Sequence, residues 1–129
     1  MIKTSEELIK KLNELKKYTF FEILELAGRV FIIVDYDDAV IIGKRGFLPE
    51  EKERGIVLVF NSKMKFSCDE YALTATLVFG NTPEKCYIPL SAITGVFSPD
   101  LRIQLTTPVL KTEEKNGKII DITKLRKKK

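Results

Sequence analysis

A chain of 129 residues that is 44% hydrophobic has the length of one domain and the apolar material for one core of ordinary size. It contains no histidine, which removes Ser-His-Asp and Cys-His catalysis and most zinc chemistry, and leaves only carboxylates, lysines and lone thiols as catalytic candidates. The net charge of +4 is unevenly placed: residues 111–129 hold eight of the 22 Lys/Arg and three of the 18 Asp/Glu, so the first 110 residues carry 14 basic against 15 acidic side chains, and any electrostatic attraction belongs to the tail.

The opening stretch Met1-Ile2-Lys3-Thr4-Ser5-Glu6-Glu7 has no apolar signal core, and the longest apolar runs, Val30 to Val34 and Ile56 to Phe60, fall far short of the roughly 20 residues of a membrane helix. The expectation is a soluble, cytoplasmic protein. Thr4 with Glu7 three residues on reads as a capping box that starts a helix. Leu8, Ile9, Leu12 and Leu15 then recur at helical spacing among Lys and Glu, which makes the helix amphipathic. Thr19-Phe20-Phe21-Glu22 repeats the capping signature, and Phe20, Ile23, Leu24 and Ala27 carry the period on to Gly28, so a second or kinked helical segment is expected to end there, the whole helical stretch covering about residues 5–28.

From Val30 the period becomes that of strands, with Val30 to Asp35, Ile56 to Phe60 and Ile93 to Phe97 rich in β-branched and aromatic residues. Tyr71, Leu73, Ala75, Leu77 and Phe79 alternate with Thr74 and Thr76, which predicts a strand with one buried side. Gly80 to Glu84 reads as the following turn, Pro89 as a strand end, and Leu101 to Leu105 as a last strand, which sets a β domain over about residues 30–105. Cys68 and Cys86 sit on separate apolar stretches without a CxxC, which suits free thiols in a reducing compartment. A folded unit over 1–107 is therefore expected to lead into a polar linker over 108–118 and an apolar-basic tail over 119–129. The tail joins Ile119, Ile120, Ile122 and Leu125 to Arg126 and three lysines; a purely electrostatic tail has no use for such exposed apolar residues, so it reads as a tethered ligand for another protein.

Chemistry finds little support along the chain. Asp35, Asp37 and Asp38 form an acidic group at a strand end that reads as a solvated turn, and no metal site or other cofactor is expected. Gly43-Lys44-Arg45-Gly46 looks like the GxxG loop of KH domains, which would make a small RNA-binding β-barrel or KH-like module, drawing also on the basic tail, the alternative reading. That loop joins two helices in KH domains. Here a strand precedes it and Pro49 falls where the second helix should begin, so a β-turn is the expected form and nucleic acid an unlikely partner.

Several blocks of residues resemble a known family. Leu48-Pro49-Glu50-Glu51 followed by Ile56-Val57-Leu58, the stretch from Thr76 through Phe79-Gly80-Asn81-Thr82-Pro83 to Pro89-Leu90-Ser91-Ala92-Ile93, and Phe97-Ser98-Pro99-Asp100 are similar to the SspB adaptors of the ClpXP protease, in the branch found in alphaproteobacteria. Ile120-Asp121-Ile122-Thr123-Lys124-Leu125-Arg126-Lys127-Lys128 resembles the terminal peptide with which these adaptors dock on the N-terminal domain of ClpX. The resemblance implies a mainly β fold with an N-terminal helix (α+β): an Sm-like open β barrel whose groove binds ssrA-type degradation tags in extended form, a helix that makes a homodimer, and no catalysis of its own. For the tag groove it points to Val57, Val59, Ala75, Leu77, Phe79, Ile88 and Ala92, each of which could equally be core. For ClpX docking it points to Ile120, Ile122, Leu125, Arg126 and Lys127, and for dimerisation to Leu8, Leu12 and Leu15.

Overall fold

The structure, a computed structural model, describes residues 5–112 and 119–121. Its first element is one unbroken helix, α1 (Ser5–Ala27), with Glu6 and Glu7 in the first turn, where the helix dipole favours negative charge. The second capping signature at Thr19 starts nothing. Continuing the helix keeps Phe20, Ile23 and Leu24 on one inward stripe, and burial of three large side chains outweighs a local cap. Phe20 meets Phe60 and Phe66 edge-on, at 5.3 and 5.7 Å between ring centroids. The helix stops at Gly28, whose φ of +80° is open to glycine at little cost and whose N–H donates to the Leu24 carbonyl at 2.8 Å.

The rest of the chain builds two antiparallel four-stranded sheets. The first contains β1 (Arg29–Val34), β3 (Ile56–Asn61), β7 (Ile93–Ser98) and β8 (Ile103–Thr106), in the order β3-β1-β7-β8. The second contains β2 (Ile41–Ile42), β4 (Phe66–Cys68), β5 (Ala72–Phe79) and β6 (Thr82–Pro89), in the order β2-β6-β5-β4. The two sheets are not closed on one another, and the fold is mixed α+β. A short helix α2 (Pro49–Arg54) precedes β3, and a 3-10 turn (Leu90–Ala92) links β6 to β7. The period-2 pattern turns Val30, Ile32, Val34, Ile56, Leu58, Phe60 and Val96 inward, where they meet Leu73, Leu77, Ile88 and the α1 stripe in one core. Among the described residues, no helix is long and apolar enough to cross a membrane.

Several elements depart from the sequence expectations for local reasons. The turn after β5 is only Gly80-Asn81, with Gly80 at φ +64°, so Thr82 and Pro83 already belong to β6. Pro83 is tolerated there because β2 pairs with β6 only at Cys86 and Tyr87, leaving no ladder partner on that side for the N–H that proline lacks. Pro49, read as an obstacle to a helix, stands at the start of α2, where its missing N–H costs nothing. Leu101 and Arg102 form a turn, and the last strand of the first sheet starts at Ile103. At the start of the linker expected over 108–118, Val109 is buried, and Thr107 just before it is fixed by bonds to the Thr94 and Ile93 carbonyls. Within the expected linker and tail, β9 (Leu110–Thr112) pairs with β10 (Ile119–Asp121).

Candidate functional site

The second sheet carries an open groove of about 550 Å³. Phe66 on β4, Ala75 on β5 and Cys86 on β6 are direct cross-strand neighbours on one row whose side chains turn inward to the core, so the exposed side chains of the groove belong to their strand neighbours. Lys65 and Lys85 line it from opposite sides, and the hydroxyls of Ser67, Thr74 and Thr76 complete the wall. Ser67 and Thr74 face each other across β4 and β5 with their oxygens 2.5 Å apart. No carboxylate lines the groove, so its charge is positive only. Along one flank runs β4, which pairs with β5 alone and leaves its other edge without a strand among the described residues. Such an arrangement offers hydroxyl partners and a cationic rim, but no nucleophile with a base. Burial raises the Cys86 thiol above its ordinary range, which keeps thiolate scarce. Among the described residues no three Asp, Glu or Cys side chains gather as a metal site. The acidic stretch expected as a turn is one: Asp37 Oδ1 accepts from the Ala39 N–H at 2.8 Å, and the Val40 N–H returns to the Asp37 carbonyl at 3.0 Å.

The seven residues proposed for the tag groove fall in three places. Ala75 borders the groove from the core-facing side of β5, and Phe79 lies further along the same strand face under the Arg45 guanidinium, 4.6 Å from the ring centroid. Leu77, Ile88 and Ala92 are core side chains, 7%, 0% and 4% exposed, and serve packing rather than contact. Val57 and Val59 are exposed on the outer face of the first sheet, beside Ile33 and Phe31 in the register. That face continues through the stacked Phe31–Phe97 pair, with the Arg29 guanidinium above Phe31 and bidentate to Asp100 at 2.8 and 3.0 Å. Phe66, Cys86, Lys65 and Lys85 were missed. The alternation of Glu84, Cys86 and Ile88 along β6 carries the signal for Cys86, but three-residue β4 is too short for a periodic one.

Of the leucines read as a dimer face, Leu8 and Leu12 are half-buried and Leu15 is exposed. Tyr18, Phe21 and Leu26 are also exposed along the later turns of α1. Ile120 lies in β10 opposite Lys111, whereas Ile122, Leu125, Arg126 and Lys127 lie outside the described residues.

The Gly43–Gly46 loop runs from β2 towards α2, so only one of its flanks is helical. Glu84 accepts from the Lys44 N–H at 3.1 Å and crowds Gly43 so closely that a Cβ there would collide with its side chain. Arg45 turns back to make a bidentate pair with Glu51 at 2.8 and 2.9 Å. A carboxylate facing the loop and an arginine already paired give it a poor surface for a phosphate backbone. No protein-family model matches this chain, and no curated protein matches it.

Proposed function

We propose that this chain is a peptide-binding adaptor of the cytoplasm, an Sm-like open barrel that holds ssrA-type tags and tethers tagged proteins to the ClpX unfoldase of ClpXP. The observation that carries the reading is the lysine-rimmed groove: the hydroxyls of Ser67, Thr74 and Thr76 lie between Lys65 and Lys85 along an edge strand. An extended peptide gains main-chain hydrogen bonds from an edge such as that of β4, with alternate side chains reaching the hydroxyls. The positive rim suits a tag with acidic residues. The resemblance of residues 119–128 to a ClpX-docking peptide supplies the second half of the reading, and a homodimer through α1 would pair two grooves and two tails in one particle. ATP hydrolysis and peptide cleavage belong to the partner, and the adaptor uses no cofactor.

The test is fluorescence anisotropy of a labelled ssrA peptide, with a scrambled peptide and a short RNA as controls. The authentic tag is expected to saturate the protein at micromolar concentration, and Thr76→Glu, which sets a carboxylate on the exposed face of the groove between Lys65 and Lys85, to weaken it at least tenfold without changing the circular dichroism. Binding of the RNA with a steep salt dependence, and none of the tag, would overturn the adaptor reading in favour of an RNA-binding module.

A further inference from the structure

At the margin of the first sheet, β3 pairs with β1 alone, and no strand among the described residues covers its outer edge. Exposed edges are ordinarily blunted by a lysine, a proline, a bulge or extreme shortness. The other uncovered edges are short, with two residues in β2, three in β4 and four in β8. β3 has six, Ile-Val-Leu-Val-Phe-Asn, without charge or proline. Its register with β1 runs without a shift, and Val57 and Val59 are 53% and 42% exposed.

One contact fixes which main-chain groups face out. The Ser62 N–H donates to the Gly28 carbonyl at 3.0 Å, one step beyond the Arg29–Asn61 pair, so Phe60, Leu58 and Ile56 also turn their main-chain groups towards β1. Val57, Val59 and Asn61 turn theirs outward. Asn61 is already used: its N–H donates to the Met64 sulfur at 3.3 Å, and its carbonyl accepts from the Met64 N–H at 3.2 Å. The N–H and C=O groups of Val57 and Val59 are left for a partner.

We propose that this edge pairs with the same edge of a second copy, antiparallel about a two-fold axis through Leu58. In that register Val57 stands opposite Val59 of the second copy, and each such pair exchanges two main-chain hydrogen bonds. Valine then meets valine on the exposed face, while Ile56 meets Phe60, and Leu58 its own counterpart, on the inner one. Charge favours the same arrangement. The α2 end of the strand keeps Glu50 and Glu53 against Arg54, since Glu51 is spent on Arg45 and Lys52 lies over the Tyr36 ring. The turn at the other end, from Ser62 to Lys65, carries Lys63 and Lys65 and no carboxylate. An antiparallel two-fold lays each acidic end beside a basic one, whereas a parallel pairing sets like ends together. A second copy therefore meets the hydrogen-bonding groups, the apolar side chains and the end charges at once, where an arbitrary extended peptide meets only the first. The contact lies on a different element from α1 and depends on neither the groove nor the function proposed above.

One strand edge is a small contact of the weak, transient class, so half-association is expected at about 100 µM. The experiment is sedimentation velocity of the full chain carrying Leu15→Glu, which removes the α1 contact, from about 10 µM to about 1 mM. Monomer is expected at the low end and dimer at the high end. Val59→Lys, which sets an ammonium on the edge, is expected to weaken association at least tenfold, and Val59→Thr, which keeps the shape, to leave it nearly unchanged. In an equal mixture of ¹³C-labelled and unlabelled chains at the high concentration, an isotope-filtered NOE between the two Leu58 Hα atoms is expected, because the Cα atoms of such a pair lie about 4.5 Å apart. Monomer throughout, a dimer undiminished by Val59→Lys, or a dimer without that NOE would overturn the proposal. So would protection of the Val57 and Val59 amides by an added Val/Thr peptide in a chain that stays monomeric, which gives the edge to a foreign strand.

Discussion

Lys16 sets a measurable cost on the folded state. Lowering its ammonium from 10.5 to about 8 corresponds to about 3 kcal/mol against the charged form, part of which Lys16→Met should recover. The variant leaves the Leu90 carbonyl without its donor, so a net gain of roughly 1–2 kcal/mol is expected in chemical denaturation at pH 7. Between about 8 and 10.5 the unfolded chain binds more protons than the folded one, so wild-type stability should rise with pH through that window, and the Lys16→Met profile should lack this rise. Gly43 offers a second test at this scale. Its φ is +50° and an added Cβ would strike Glu84, whereas Gly46, at φ +63°, has open space. Gly43→Ala should therefore cost about 2 kcal/mol or more and Gly46→Ala about 1, as compared by denaturation midpoints.

Between α2 and the β2 loop, one ion pair among the described residues joins the two elements. Arg45 and Glu51 are each 19% exposed by side chain, and the hydrogen bond from Arg45 holds the Glu51 carboxyl below its usual range. Its contribution is present above the unfolded carboxylate range and is lost as pH falls through the folded one. Glu51→Gln should cost roughly 1 kcal/mol at pH 7, and the gap to wild type should close in acid. On α1, Leu15 is 45% exposed, so Leu15→Glu should leave the fold unchanged, and it should break the α1 homodimer proposed above, read as a shift to monomer in sedimentation velocity of dilute protein. Legibility also divides at this scale. The strand alternation was plain at β5 because Leu73 and Leu77 are buried while Thr74 and Thr76 are exposed, and helical periodicity was plain in α1. The continuity of α1 past Thr19 was not, since it depends on contacts with Phe60 and Phe66 far along the chain.

Both sheets and α1 send side chains into one cluster, so the molecule should unfold in one transition, with coincident midpoints from far-ultraviolet and tyrosine near-ultraviolet circular dichroism. Two separated midpoints would mean that the sheets are independent units. The groove was the least legible part of the whole. Sequence periodicity separates faces but does not say which face a second sheet covers, and this is why Leu77 and Ile88, on the same inward faces as Ala75 and Cys86, proved to be core.

The burial of Cys86 makes the groove sheet a kinetic reporter. The residue is 4% exposed within the core cluster and its thiolate is suppressed, so alkylation must wait for β5 and β6 to breathe, while Cys68 on β4 is only half-buried. The rate at which Cys86 takes up a maleimide thus clocks how often the sheet opens, and an occupant laid along β4 and over Thr74 and Thr76 would slow that clock.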